Sequence, residues 1–216
     1  DLEWSLNQDM MQSVEQTKDD PQTIEYKIKD EAKWSDGEPI SGDDWVYLWN
    51  SIAGPKAQEN VYATTGYDRM EKPDVSDDGK TVTVEFTEPF SEWQGLFTNL
   101  MPVHKMKKTG WEGLTQKAVA KGELDWSGGP FKIESYKRKK SLTLVANEDY
   151  FGKKPELEEV VVEFVADDSL AKKFENGEAD MSQPQPQVDL LEQIKAVDGI
   201  KTDVANGLGW EHLTFN

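Results

Sequence analysis

The sequence predicts an α/β fold of the α+β kind, with mixed sheets and flanking helices. Three observations carry that prediction. In TIEYKIK, Thr23 to Lys29, the residues Ile24, Tyr26 and Ile28 alternate with polar ones, the period of a half-buried strand. Downstream of Ser41, Trp45, Leu48, Trp49 and Ile52 fall at i, i+3, i+4 and i+7, which is one face of a helix. In FKIESYKRKKSLTLVA, the residues Phe131, Ile133 and Ser135 face Leu142, Leu144 and Ala146 across a polar tip, which reads as a hairpin.

The elements follow in order. Asp36-Gly37 supplies a tight turn after the first strand, and Pro39 bars a helix until Ser41. Ser41 is an N-cap, with Asp44 three residues on as a short capping-box partner, and Gly54-Pro55 ends the helix. ENVYATTGYDRM, Glu59 to Met70, reads as a polar-aromatic loop. MEKPDVSDDGKTVTVEF predicts a second hairpin, with Asp78-Gly79 at its turn and Val82, Val84 and Phe86 alternating.

After Pro89 a short helix is expected with Phe90, Trp93, Leu96 and Phe97 on one side, then another around Gly113 to Lys121. Gly128-Gly129-Pro130 is the strongest internal breaker and opens the long hairpin, whose tip, Tyr136 to Lys140, is expected to be solvated. ELEEVVVEFVA is the most strand-like segment. A helix from about Ser169 closed by Gly177 then leads into a short strand. QPQPQVDLLEQIKAV gives a Pro-bounded loop and a helix, and IKTDVANGLGWEHLTFN the last strands. No repeat or low-complexity segment interrupts the order.

Composition narrows the function. The 216 residues are enough for one large domain or two small ones with real cores. Lys and Arg total 24 against 42 Asp and Glu, a net charge of -18 whose field repels nucleic acid and anionic membrane surfaces. No run approaches the roughly 18 apolar residues of a membrane span. The chain begins at Asp1 rather than Met, which points to a processed or trimmed N-terminus. With no cysteine, disulfides, thiol nucleophiles and Cys-based zinc sites are excluded.

Signals of catalysis are few. His104 and His212 lack a second His or a carboxylate at ligand spacing, so no metal site is expected. No G-x-S-x-G, phosphate-binding loop or dinucleotide fingerprint is present, and no cofactor is implied. With so many carboxylates, some pair will always lie close, so their abundance is no evidence for glycoside hydrolysis. The aromatics say more. Of eight tryptophans, Trp45, Trp49 and Trp93 sit at helical spacing and suit a core. Trp210 follows Gly207-Leu208-Gly209 and shares a strand face with His212 and Thr214, an arrangement that suits a pocket wall.

Four ordered stretches resemble the family 5 extracellular solute-binding proteins of ABC transporters, the peptide- and oligopeptide-binding group. They are YKIKDEAKWSDGEPISGDDWVYLWN, SGGPFKIESYKRKKSLTLVANEDYFG, FENGEADM and LTFN, which together span nearly the whole chain. TTGYD and GWEHLTFN look most like actinobacterial lipoprotein members.

The resemblance implies a class II periplasmic-binding-protein fold, a two-lobed clamp that captures a solute outside the membrane and delivers it to an ABC permease without catalysis. Family members are much longer, so the chain is expected to be a fragment holding the first lobe only. Residues 1–127 would form its smaller variable subdomain and 128–216 part of the larger hinge-flanking domain, with the second lobe and the lipid-bearing cysteine absent. Carried over by position, the ligand-facing residues are Tyr62, Thr65 and Tyr67 in one loop, Gln183, and Trp210 with His212 on the last strand. The implied ligand is a peptide, with an oligosaccharide or metal chelate as the alternative within the family and a carbohydrate hydrolase using paired carboxylates as the competing class. The implied location is extracytoplasmic, periplasmic or extracellular, as a monomeric cell-surface lipoprotein peripheral to the membrane.

Overall fold

The computed structural model describes residues 5–55, 61, 63–110, 113, 116–122, 124–185 and 187–205. Two compact units divide the chain, Asp1–Val162 and Glu163–Asn216.

The first unit is built on a four-stranded sheet of order β1-β2-β4-β3, from β1 (Met11–Asp19), β2 (Gln22–Ile28), β3 (Asp74–Val75) and β4 (Thr81–Glu85), with all three pairings antiparallel. β2 occupies the expected strand, and its Ile24, Tyr26 and Ile28 are buried with Val82, Val84 and Phe86. Alternation therefore selected one sheet face for the core, as a half-buried strand requires. β1 was not foreseen. It is a polar edge strand whose only fully buried residue is Met11, so it carries little apolar period to read.

Helix α1 (Gly42–Ile52) lies on this sheet, with Trp45 and Leu48 buried. The expected cap is present: Ser41 N–H donates to the Asp44 carboxylate at 3.1 Å, closing a capping box. The turn of the β3–β4 hairpin reaches the same point, where Gly42 N–H donates to the Gly79 carbonyl at 2.8 Å. Gly79 has φ 73, the left-handed conformation expected at the Asp78-Gly79 turn.

One expectation between residues 89 and 121 needs correction. The helix after Pro89 is only a single 3₁₀ turn, Trp93–Gly95. Buried Gln22 holds the Phe90 amide instead, its Oε1 accepting Phe90 N–H at 2.7 Å and its Nε2 donating to the Phe90 carbonyl at 3.2 Å. Phe97 adopts φ 57 to pack edge-on to Tyr26 and Tyr67, at 5.7 and 5.2 Å between ring centroids. Tertiary contacts have overridden the helical spacing. An unforeseen helix, α2 (Val103–Thr109), follows Pro102, while α3 (Gln116–Ala120) falls within the expected region.

A second sheet of order β5-β6-β7 contains β5 (Phe131–Lys137), β6 (Ser141–Ala146) and β7 (Glu159–Glu163). The hairpin has the expected ends, but a register shift between Ile133 and Ser135 places Ser135 opposite Thr143 and Tyr136 opposite Leu142. Asn147, only 1% exposed, anchors the exit: its N–H donates to the Pro130 carbonyl and its Nδ2 to the Gly129 carbonyl. Nearby, Tyr150 donates its hydroxyl to Asp9 at 2.8 Å, and Gly152 leaves room for that carboxylate, whose Cγ would stand 2.3 Å from a Cβ there.

The second unit holds α4 (Asp167–Glu175) and α5 (Val188–Lys195), whose Leu170, Phe174, Leu190 and Ile194 pack with Val197. Gly177 closes α4 as expected. At φ 67 its N–H donates to the Phe174 carbonyl while Glu178 N–H reaches the Lys173 carbonyl, a Schellman cap. The short strand expected after Gly177 does not form, since residues 178–182 have no regular structure. Of the expected last strands, residues 201–205 are irregular and 206–216 lie outside the described residues.

Candidate functional site

The loop that carries Thr65 and Tyr67 is fixed from both ends. The Thr64 carbonyl accepts the N–H groups of Tyr67 at 3.0 Å and Asp68 at 3.1 Å, winding the 3₁₀ turn Tyr67–Arg69. Beyond it the Arg69 carbonyl accepts the N–H of Thr87 at 2.8 Å, tying the loop to the end of β4. Gly66 is buried with φ 84, and a Cβ there would sit 2.7 Å from a Phe90 ring carbon and 3.0 Å from Leu96. Only glycine supplies both the left-handed backbone and that clearance.

Tyr67 is half-buried, and its hydroxyl accepts the Phe97 N–H at 2.7 Å. Burial pushes its phenol above the ordinary range, and the Phe97 hydrogen bond only partly offsets this. The group is therefore protonated and neutral at neutral pH, able to hydrogen-bond and to offer a ring edge. Thr65, by contrast, is exposed. The structure thus brings two of the sequence candidates together as an exposed hydroxyl and a half-buried phenol on one clamped loop. Gln183 is exposed in the stretch between α4 and α5 of the second unit. Tyr62, Trp210 and His212 lie outside the described residues.

A second polar assembly surrounds the Trp34-Ser35-Asp36-Gly37 turn. His104 Nε2 lies 2.8 Å from the Asp36 carboxylate, and Lys105 Nζ bridges Asp36 and Asp125 at 3.3 Å each. Ser127 N–H donates to the Ser35 hydroxyl at 2.9 Å, and the Trp34 and Trp126 rings meet edge-on at 5.8 Å. Desolvation pushes the Asp36 carboxyl up, but the combined hydrogen bonds from His104, the Glu38 N–H and Lys105 hold it below the usual carboxylate range. His104 has no metal-ligand partner at local spacing, and its contact with Asp36 spans 68 residues, which no local spacing announces.

A pocket also opens in the first unit between the Asp30–Pro39 region and the turn at 148–154, with Glu31, Lys33, Asp149, Tyr150 and Lys154 among its walls. Among the described residues no group of three or more His, Cys, Asp or Glu is placed to hold a metal ion, and no helix is long and apolar enough to cross a membrane.

Residues 5–216 match the family model described as bacterial extracellular solute-binding proteins, family 5 Middle. The chain is 27% identical over 201 residues to a Mycobacterium tuberculosis protein named "Probable monoacyl phosphatidylinositol tetramannoside-binding protein LpqW", covering 92% of this chain and 31% of the relative. It is 28% identical over 208 residues to the oligopeptide-binding protein OppA of the same species, covering 94% of this chain and 34% of that one. The chain therefore spans about a third of the length of these curated relatives. Among solved structures, the periplasmic EDTA-binding protein EppA superposes with a TM-score of 0.81 at 37% identity, over 89% of this chain and 37% of its own.

Proposed function

The chain belongs to the family 5 bacterial extracellular solute-binding proteins, and on that premise we propose that it serves to capture a solute outside the cytoplasm, peptides before other classes, for delivery to the permease of an ABC transporter. The observation that carries this reading is the family match across residues 5–216. Peptides come first because a relative aligned over 94% of the chain is named an oligopeptide-binding protein. The relatives are solute-binding proteins, and a neutral phenol beside an exposed hydroxyl suits ligand contact better than acid–base work.

In this reading Thr65 and Tyr67 meet the ligand with Tyr62, Gln183, Trp210 and His212. Residues 1–127 act as a smaller variable subdomain and 128–216 as part of a hinge-flanking domain. The working protein is a monomer, peripheral to the membrane through a lipid anchor. Enclosure between two lobes removes competing water from polar ligand contacts, so this chain alone is expected to bind more weakly than about micromolar. A metal chelate is the second reading, favoured by the 37% identity with an EDTA-binding protein.

The test is isothermal titration of the longer protein that carries this chain, with mixed short peptides and separately with Fe(III)-EDTA. Micromolar peptide binding, weakened about tenfold by Thr65→Ala together with Tyr67→Phe, supports the first reading. Chelate binding without peptide binding moves the assignment to the second. Neither ligand binding, with no solute copurifying by mass spectrometry, overturns both.

A further inference from the structure

The β5–β6 hairpin concentrates positive charge in a chain that is otherwise strongly acidic. Between Phe131 and Ala146 stand Lys132, Lys137, Arg138, Lys139 and Lys140, with Glu134 as the only acidic residue. Residues 137–140 are all exposed. The turn they form is defined: Lys140 N–H donates to the Lys137 carbonyl at 2.8 Å, and Lys139 adopts φ 59. Among the described residues none of these four side chains forms an ion pair. Four of the 24 Lys and Arg lie in this tip, and the other 20 face 42 Asp and Glu. Behind the tip, Tyr136, Leu142 and Leu144 are only half-buried, and no residue of either strand is fully buried.

We infer that this hairpin tip is an electrostatic contact for anionic phospholipid headgroups, and that it sets which end of the first unit faces a bilayer. Each cation close to an anionic bilayer multiplies affinity by about fivefold, and the effect fades within a Debye length of about 8 Å at physiological ionic strength. Selectivity by distance is what an acidic protein needs: the field around most of its surface is repelled, so only the tip can approach. Consecutive cations in a tight turn diverge and build no pocket or fixed fork, so they suit a mobile layer of phosphates better than one shaped acidic partner. The half-buried tyrosine and leucines behind them suit the boundary between headgroups and acyl chains.

The experiment is cosedimentation of the full chain with phosphatidylcholine vesicles, with and without about one-third phosphatidylglycerol, at low salt and at about 0.5 M salt. Retention on the anionic vesicles should exceed that on the neutral ones at least about tenfold, and should fall at high salt. It should be lost in K137Q/R138Q/K139Q/K140Q and kept in the control K107Q/K108Q. Arg138→Gln alone should cut retention about fivefold, which tests the idea even if the fourfold variant melts early. Equal retention on both vesicles, salt-insensitive retention, equal loss in the control, or capture of an acidic protein with no vesicle binding would each overturn it. Solute titration of the fourfold variant should match the parent, so the contact and the proposed transport role can fail separately.

Discussion

The Trp34 indole N–H donates to the Asp44 carboxylate at 3.2 Å, and both residues are buried, at 3% and 1% exposed. The same carboxylate accepts the N–H of Ser41 at 3.1 Å and of Val103 at 2.8 Å. One side chain therefore joins the Trp34–Gly37 turn to the N-cap of α1 and the first residue of α2. Desolvation pushes its pKa above the ordinary carboxylate value, and the three hydrogen bonds and the nearby His104 only partly oppose this.

Asp44→Asn tests that junction. The amide keeps the shape but replaces one acceptor oxygen with a donor that faces N–H groups. The expected loss is about 1–3 kcal/mol, measured by urea unfolding at neutral pH. A carboxyl whose folded pKa is raised binds its proton more tightly in the folded state. Its contribution is therefore greatest below the unfolded value near 3.8 and falls as pH rises through the folded one. The gap between parent and variant should be wider near pH 4 than at pH 7; a gap that widens with pH would contradict the burial argument.

Gly42→Ala sets helix propensity against packing. In the first turn of α1 alanine would gain up to about 1 kcal/mol. A Cβ there, however, would lie 2.5 and 2.8 Å from the two Val75 methyls and 2.9 Å from Val82. Overpacking a filled interface costs about 1–3 kcal/mol, so packing wins. The melting temperature should drop, and Gly42→Ala with Val75→Ala should recover part of it by relieving the overlap.

Much of this region was legible in the sequence, and the limits have a physical origin. Ser41 and Asp44 announce the α1 cap because their partners are three residues apart. Asp44 also holds Trp34 and Val103, which are 10 and 59 residues away, and no local period encodes such contacts. β1 is not legible in the sequence because an edge strand with one fully buried residue has almost no apolar alternation. Phe90 to Phe97 has helical spacing yet forms no such helix, because Gln22 and Tyr67 take its backbone N–H groups elsewhere. For the site, TTGYD was readable as a polar-aromatic loop. That the Tyr67 hydroxyl is engaged by a backbone amide 30 residues away was not.

Tyr67→Phe separates the two roles of that residue. The ring would keep its edge contact with Phe97 at 5.2 Å, while the Phe97 N–H would lose its acceptor. The expected cost is about 1–3 kcal/mol of stability, read by chemical denaturation. Thr65→Ala, at an exposed position, should change stability by less than about 0.5 kcal/mol. On the proposed reading, Thr65→Ala in the longer protein should nonetheless weaken solute binding, and unchanged affinity in that variant would count against a ligand contact at Thr65.

Asp36→Asn probes the acid limb. The Asp36 carboxyl lies 2.8 Å from His104 and 3.3 Å from Lys105, with side chains between 25% and 30% exposed. Solvent screening keeps such a network small, at about 0.5–1 kcal/mol. Because the folded pKa is held below the ordinary value near 3.8, the contribution is present above that value and is lost as pH falls through the folded one. Asp36→Asn should therefore melt below the parent at neutral pH, and the two curves should converge towards pH 3 and below. His104→Ala should show the same neutral-pH loss in part, since it removes one of the three groups that hold the carboxylate. A gap that persists unchanged into strong acid would assign the Asp36 effect to turn geometry rather than to charge.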